Sequence, residues 1–381
     1  MAMASEPPQP DDAPEPGAGA LDASAAPSGF PCPVCGAPTT WDPDHDALSC
    51  EHCGAKREVP RAEGKILERP LEDAGAAARG LGLETRALRC RTCGAVVALD
   101  GPLTSTHCVF CGSANVLAQD ANRNALRPES LIPLDVGREA VEQGFRSWLR
   151  GLWFRPTALK RLKGFDAVGL YVPYWTFDAA VHSDWSADAG HYYYVTTMVP
   201  VMVKGRMTMR PQQVQKVRWE PAWGKRDDTY DDLLLNASRG VPDDLAARLG
   251  GFDTRKLLPY RPEYLAGWRA EEYQLDLEQA WAEARKRIVA TQEGRCAGDV
   301  PGDTHRNLRA DHEIAGVRWK HVLLPMWSLA YEFGGKRYTV LVHGQSGRVH
   351  GRAPWSVPKI AFALLALLVV IALVVLVVES G

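Results

Sequence analysis

The stretch Cys32-Pro33-Val34-Cys35-Gly36, followed by Cys50-Glu51-His52-Cys53-Gly54 with 14 residues between Cys35 and Cys50, decides how this chain is read. The pattern returns 58 residues later: Cys90-Arg91-Thr92-Cys93-Gly94, then Cys108-Val109-Phe110-Cys111-Gly112, again with 14 residues between Cys93 and Cys108. A thiolate is a strong soft ligand, and two CxxC turns bring four sulfurs into a tetrahedron. The glycine after each pair suits a knuckle turn, where positive φ lets backbone N–H groups point at the sulfurs. The gap between knuckles suits the hairpin of a small ribbon. Four matched CxxCG turns, with no signal peptide leading to an oxidising compartment, favour metal over disulfides. The expectation is two Zn2+ sites, one from Cys32, Cys35, Cys50 and Cys53, the other from Cys90, Cys93, Cys108 and Cys111. Four thiolates leave no open position for water, so the zinc is expected to be structural. His45, His52 and His107 lie nearby and read as surface or supporting residues, because each site already has four sulfurs. Cys296, the ninth cysteine, reads as a free thiol without a special role.

Outward from the cysteines, residues 1–29 hold Ala, Pro, Gly, Ser and five acids but no base, a disordered acidic tail. They have neither the basic start nor the apolar stretch of a signal peptide. Residues 30–60 are the first ribbon, 61–85 a linker rich in Ala, Gly and charge, and 86–118 the second ribbon. Residues 119–356 carry 11 of the 12 tryptophans. Helical periodicity marks 138–154 and 273–291 there, and strand composition marks 169–181, 191–219, 318–333 and 336–343. Gly334-Gly335 reads as a hairpin turn, and Gly344-Gln345-Ser346-Gly347 as a second, before a short strand at 348–351. Val172-Pro173-Tyr174-Trp175 and Leu324-Pro325-Met326-Trp327 look alike, which suggests equivalent strands of a duplicated unit. Strands and helices without regular alternation indicate an α+β class with antiparallel strands.

Residues 360–378 are 19 apolar residues without interruption, and only Glu379, Ser380 and Gly381 follow. As a helix they span about 28 Å, close to the ~30 Å hydrocarbon core of a bilayer. Residues 357–381 are therefore expected to be a transmembrane tail anchor. Arg348, Arg352 and Lys359 precede the run and Glu379 follows it, so the positive-inside rule places the bulk of the chain in the cytoplasm. Reduced cysteines agree with that side. The expected location is the inner membrane, crossed once.

The net charge of the 381 residues is −2, which gives no long-range pull toward nucleic acid. The first ribbon carries −3 and the second +2, so protein contact is favoured over phosphate tracking. Residues 146–163 hold six bases and no acid, with Trp148, Trp153 and Phe154 interleaved. This reads as an amphipathic helix and turn with its aromatics in the core, the alternative being contact with anionic headgroups. No phosphate-cradling loop exists: Gly224-Lys225 and Gly335-Lys336 lack both the upstream glycine and the following hydroxyl. His312-Glu313 has no histidine three residues on, so no His-Glu-x-x-His zinc enzyme is present. Asp227-Asp228 and Asp231-Asp232 around Tyr230 read as a solvated turn and helix start before Leu233-Leu234-Leu235. The tryptophans read as core and interface anchors. No catalytic residue is identified, and the chain is expected not to be an enzyme.

The CxxCG pairs come with Tyr171-Val172-Pro173-Tyr174-Trp175-Thr176-Phe177-Asp178, Tyr264-Leu265-Ala266-Gly267-Trp268 followed by Glu272-Tyr273, the segment Leu323 to Tyr331, Gly344-Gln345-Ser346-Gly347 and the apolar end. In these the chain resembles a bacterial family of zinc-ribbon membrane proteins labelled "TFIIB-type zinc ribbon-containing protein", or by transferred name "primosomal protein N′-like helicase". The missing nucleotide loop contradicts the helicase label. The resemblance implies a non-enzymatic membrane component. Some relatives are encoded beside phage-shock-protein-A-like and SPFH-domain proteins, in envelope-stress or membrane-maintenance systems. The combined expectation is a tail-anchored adaptor that presents two zinc ribbons and a Trp-rich α+β domain to other membrane-associated proteins. Its rivals are a membrane-tethered nucleic-acid-binding ribbon protein and a hydrolase with a scattered site.

Overall fold

The computed structural model describes residues 30–42, 44–81, 86–99, 107–162, 165–203, 206–249 and 251–380. The tail expected at 1–29 lies outside them. The first ribbon forms its own three-stranded antiparallel sheet from β1 (Thr40–Asp42), β2 (Ala47–Ser49) and β3 (Lys56–Glu58). Trp41 on β1 and Leu48 on β2 point inward and are buried. Trp41 fixes this sheet to the body. It packs edge-on to Tyr264 at 4.9 Å, its N–H donates to the Ala266 carbonyl, and the Trp268 indole donates to the Trp41 carbonyl.

The other strands join in one 12-stranded sheet. In chain order they are β4 (Arg69–Pro70), β5 (Arg86–Cys90), β6 (Val96–Leu99), β7 (Val116–Asp120), β8 (Ser130–Leu131), β9 (Asp166–Val203), β10 (Arg206–Asn236), β11 (Leu258–Pro259), β12 (Arg269–Glu272), β13 (Thr304–Phe333), β14 (Lys336–His343) and β15 (Val349–Gly351). The helices are α1 (Arg138–Gly151), α2 (Asp243–Leu249), α3 (Leu277–Asp299) and α4 (Val357–Ser380).

The centre is the antiparallel pair β9 and β13, whose apolar stretches are buried on both faces. Val172 lies opposite Leu324, with Pro173 opposite Leu323 and Tyr171 opposite Pro325. This is a local two-fold, and it extends outward. β12 runs parallel to β9 and β8 parallel to β13, while β10 and β14 are the hairpin partners of the same two strands. The order β8-α1-β9-β10 thus repeats as β12-α3-β13-β14, and the Pro-x-Trp likeness is the trace of that duplicated unit. The helices are exchanged between units. Phe145 of α1 packs with Trp327, and Ala280 of α3 packs with Trp175. Each indole donates to the carbonyl two residues ahead of the helix that covers it: Trp327 to Val136 at 2.9 Å, Trp175 to Leu275 at 2.8 Å.

Three expectations change. The strands expected at 169–181 and 191–219 are longer and end in one hairpin, β9 of 38 residues against β10 of 31. Polar residues at 182–188 break the apolar run, but the period of two persists: Val181, Trp185 and Ala187 are buried while Asp184 and Ser186 are exposed. Asp227, Asp228, Asp231 and Asp232 are part of β10, not a turn and helix start. The irregularity there is a bulge between Tyr230 and Leu233, with Asp232 at φ 51°. The helix expected at 273–291 begins at Leu277, where the Asp276 side chain accepts from the Gln279 N–H at 2.8 Å, and runs on to Asp299. Beyond Gly190 and Thr304, β13 no longer accompanies β9, and β9 with β10 continues as a two-stranded ribbon.

Candidate metal centres and apolar helix

All four knuckles share one geometry. The N–H of the closing glycine donates to the carbonyl of the first cysteine at 2.9 Å, at Gly36, Gly54, Gly94 and Gly112 alike. These glycines have φ of 75°, 71°, 84° and 72°, a region that strains any residue with a Cβ. The turn aims amides at sulfur: the Val34 N–H donates to Cys32 Sγ at 3.4 Å. Those amides, from Val34 and then Cys35, pull the Cys32 thiol down to about 7.

The eight cysteines form two groups, Cys32, Cys35, Cys50 and Cys53, and Cys90, Cys93, Cys108 and Cys111. Within each group all sulfurs lie within 4.8 Å of one another. Cys32 to Cys53, Cys35 to Cys50, Cys90 to Cys111 and Cys93 to Cys108 are each 3.6 Å apart. That is far too long for a disulfide at about 2.05 Å. A tetrahedron with metal–sulfur bonds of about 2.3 Å has edges of about 3.8 Å, so both groups could hold a metal ion. Neither group includes a histidine. His45 is an exposed partner of Asp42 at 2.8 Å, and His52 and His107 are exposed. Cys296 is buried on α3, outside both groups.

The two centres sit differently. The first lies at the edge of its small sheet, with Cys35, Cys53 and the knuckle residue Val34 exposed. The second is built into the large sheet. β6 pairs with β12, β5 lies between β6 and β7, and Cys90, Cys108 and Phe110 belong to a core cluster with Leu170 and Val172. Gly240 passes directly over Phe110: a Cβ there would lie 2.4 Å from the ring.

The fold assembles two polar clusters, one part-buried and one buried, that the sequence reading did not bring together. At the β10 bulge the Asp232 N–H donates to Asp178 Oδ1 at 2.6 Å. Asp178, Asp231 and Asp232 lie close enough to hold a cation, but Lys320 already supplies one, with Nζ 2.6 Å from Asp232 and 2.9 Å from Glu68. Burial pushes Asp178 up to about 6. The second cluster borders a cavity of about 290 Å³ lined by Arg79, Arg127, Glu271, Tyr273 and His321, among others. His321 Nδ1 faces the Leu126 carbonyl at 2.8 Å and therefore carries the proton, and burial pushes the ring down to about 4. Glu271 is fully buried, and burial pushes it up to about 8. No sequence signal marks either residue, because strand pairing distant in the chain creates their burial.

The third feature is α4. Within Val357–Val378 the most apolar 18 residues have a mean hydropathy of 3.5, and none of those is buried. Its 22 residues extend about 33 Å, long and apolar enough to cross a membrane. The start of the helix is fixed to the turn after α1. The Ser356 N–H donates to the Phe154 carbonyl at 2.9 Å, and Lys359 Nζ donates to the carbonyls of Arg155 at 2.9 Å and Trp153 at 3.2 Å. The Arg155 guanidinium lies over the Trp355 ring at 3.5 Å. Of the aromatics expected in the core here, only Trp148 packs against it. Trp153 is 73% exposed and Phe154 41%, because the chain turns outward there to meet α4.

No family model matches the chain, and no solved structure matches it. The chain is similar to the uncharacterized protein YdjG of Bacillus subtilis (strain 168), 27% identical over 341 residues, which is 87% of this chain and 92% of that protein.

Proposed function

We propose that the protein is a non-enzymatic adaptor, anchored by α4 in the inner membrane with its body in the cytoplasm, and that both cysteine groups carry structural zinc. The observation that supports this best is the pairing of two closed four-sulfur groups with a bare apolar helix on one folded body. A four-thiolate tetrahedron is a donor set that suits zinc and leaves it no open position. The metal would then staple each ribbon, while the chain's own amides hold the sulfurs. The bases before α4 favour the cytoplasmic side.

The adaptor's partners are other membrane-associated proteins, and the family resemblance points to phage-shock-protein-A-like or SPFH-domain proteins. The first ribbon, acidic and with Val34 exposed at its knuckle, is the natural docking element. The test is co-purification from detergent-solubilised membranes of the intact chain and of Cys32→Ser/Cys35→Ser. Loss of a specific membrane protein from the variant supports docking. Retention of every partner rejects it.

One observation favours a second reading, nucleic-acid binding at the membrane. Residues 189–219 contain five bases and no acid, and most of them form the two-stranded ribbon. A steep fall of nucleic-acid affinity with salt would select that reading.

A further inference from the structure

Around the base of α4 the surface changes character. Trp153 and Phe154 project beside the first turn of the helix, and Trp355, 63% exposed, precedes it. Their backbone is pinned there by the Ser356 and Lys359 hydrogen bonds, so the aromatics cannot leave the point where the helix departs. Outside them lie Arg150 at the end of α1 and Lys160 and Arg161 in the following turn, all exposed and without an ion pair to any described carboxylate. The nearest acid on α1, Glu142, is already paired with Arg138. A 22-residue helix fills the hydrocarbon core, which leaves its first turn at headgroup depth. Tryptophan prefers that depth, and Lys and Arg there meet lipid phosphate.

We infer that Trp153, Phe154 and Trp355, with Arg150, Lys160 and Arg161, form a collar that binds anionic phospholipid headgroups where α4 enters the bilayer. The collar rests on the membrane reading of α4 and adds a lipid preference to it. The aromatics set the depth and the bases select negative charge, about fivefold for each base near the surface. The collar would seat the body against the membrane in one orientation.

The test uses the full chain in nanodiscs of phosphatidylcholine, with spin-labelled phosphatidylglycerol or phosphatidylcholine as the reporter lipid. The wild type should prefer phosphatidylglycerol by at least about fivefold. Arg150→Gln/Lys160→Gln/Arg161→Gln should bring the preference near one, and high salt should do the same. Arg210→Gln/Lys216→Gln/Arg218→Gln on the distant ribbon removes the same three charges and should leave the preference intact. Equal preference in wild type and the collar variant overturns the collar, as does equal loss in the control. Alkaline extraction of the same samples separates the two claims. Wild type that stays in the bilayer without a lipid preference defeats the collar alone. Wild type that is extracted defeats the membrane reading, and the collar with it.

Discussion

Glu271 shows what a single side chain contributes once the sheet has buried it. Burial disfavours its ionised form, so the folded value rises from 4.5 to about 8. Between those values the folded chain keeps a proton that the unfolded chain has lost. The stability tied to that proton is complete below about pH 4.5 and is lost as pH rises through about 8. The slope is at most about 1.4 kcal/mol per pH unit. Glu271→Gln keeps the shape and removes the titration. We expect the variant to be more stable than wild type at pH 8, by up to about 4 kcal/mol, with the difference shrinking toward pH 5. Urea denaturation at several pH values measures this, and parallel curves for both proteins would rule the carboxyl out. Gly240 is the steric counterpart. A methyl there would meet the Phe110 ring at 2.4 Å, so Gly240→Ala should cost about 1–3 kcal/mol in the same assay. Neither residue is legible in the sequence. The cysteines are, because their chemistry and their turn lie within five consecutive residues.

Among the elements, the two ribbons share a local structure but not a setting, and this sets up an asymmetry. Metal binding supplies folding free energy to small cysteine modules. Removing the first centre with Cys32→Ser/Cys35→Ser should unfold a separate sheet that packs on the body through Trp41, Leu48 and Val59, and leave the 12-stranded sheet standing. Removing the second with Cys90→Ser/Cys93→Ser should detach β5, β6 and β7 from β12 and open the cluster around Phe110. Elemental analysis should show one zinc lost in each case. The urea midpoint of the body should fall measurably only in the second. Equal falls would mean that the ribbons are equally integrated. The same contrast explains what could be read in advance. Cysteine spacing, the apolar terminus and the α+β class rest on local pattern, and the structure shows two clusters, mixed elements and the apolar helix. Attachment of one ribbon to the large sheet depends on three β12 residues pairing with β6, some 170 positions away, and no local period announces it. The long strands were partly hidden for a related reason. A half-buried strand with a charged outer face has the period of two but not the composition that draws attention to it.

Across the whole molecule, the local two-fold between β9 and β13 builds a near-symmetric body, and the chain breaks the symmetry at its two ends. The first unit extends its hairpin far beyond the sheet, so that β9 alone has a contour of about 125 Å. The second unit stops at a short hairpin, and β15 and α4 follow it. The helix therefore leaves from the Asp166 and Ala330 end of the central pair, while the hairpin turn lies at the opposite end. A body tied down at one end meets other membrane-bound proteins at a raised effective concentration, so a modest docking surface suffices. On this reading the anchor matters for function far more than for folding. The most apolar 18 residues of α4 are not buried against the described body, so deleting 357–381 removes little of its core beyond the Ser356 and Lys359 contacts at the helix start. The truncated chain should be soluble, hold two zinc ions and unfold within about 0.5 kcal/mol of the intact body. It should also leave the membrane fraction after a high-salt wash and fail to complement a deletion strain. An unrelated 22-residue apolar helix in place of α4 should restore membrane residence, and with it activity, if tethering is what the segment provides. A truncated chain that works normally from the cytosol would show instead that the apolar helix is an address without a mechanism, and nucleic-acid binding by the soluble body would become the stronger reading.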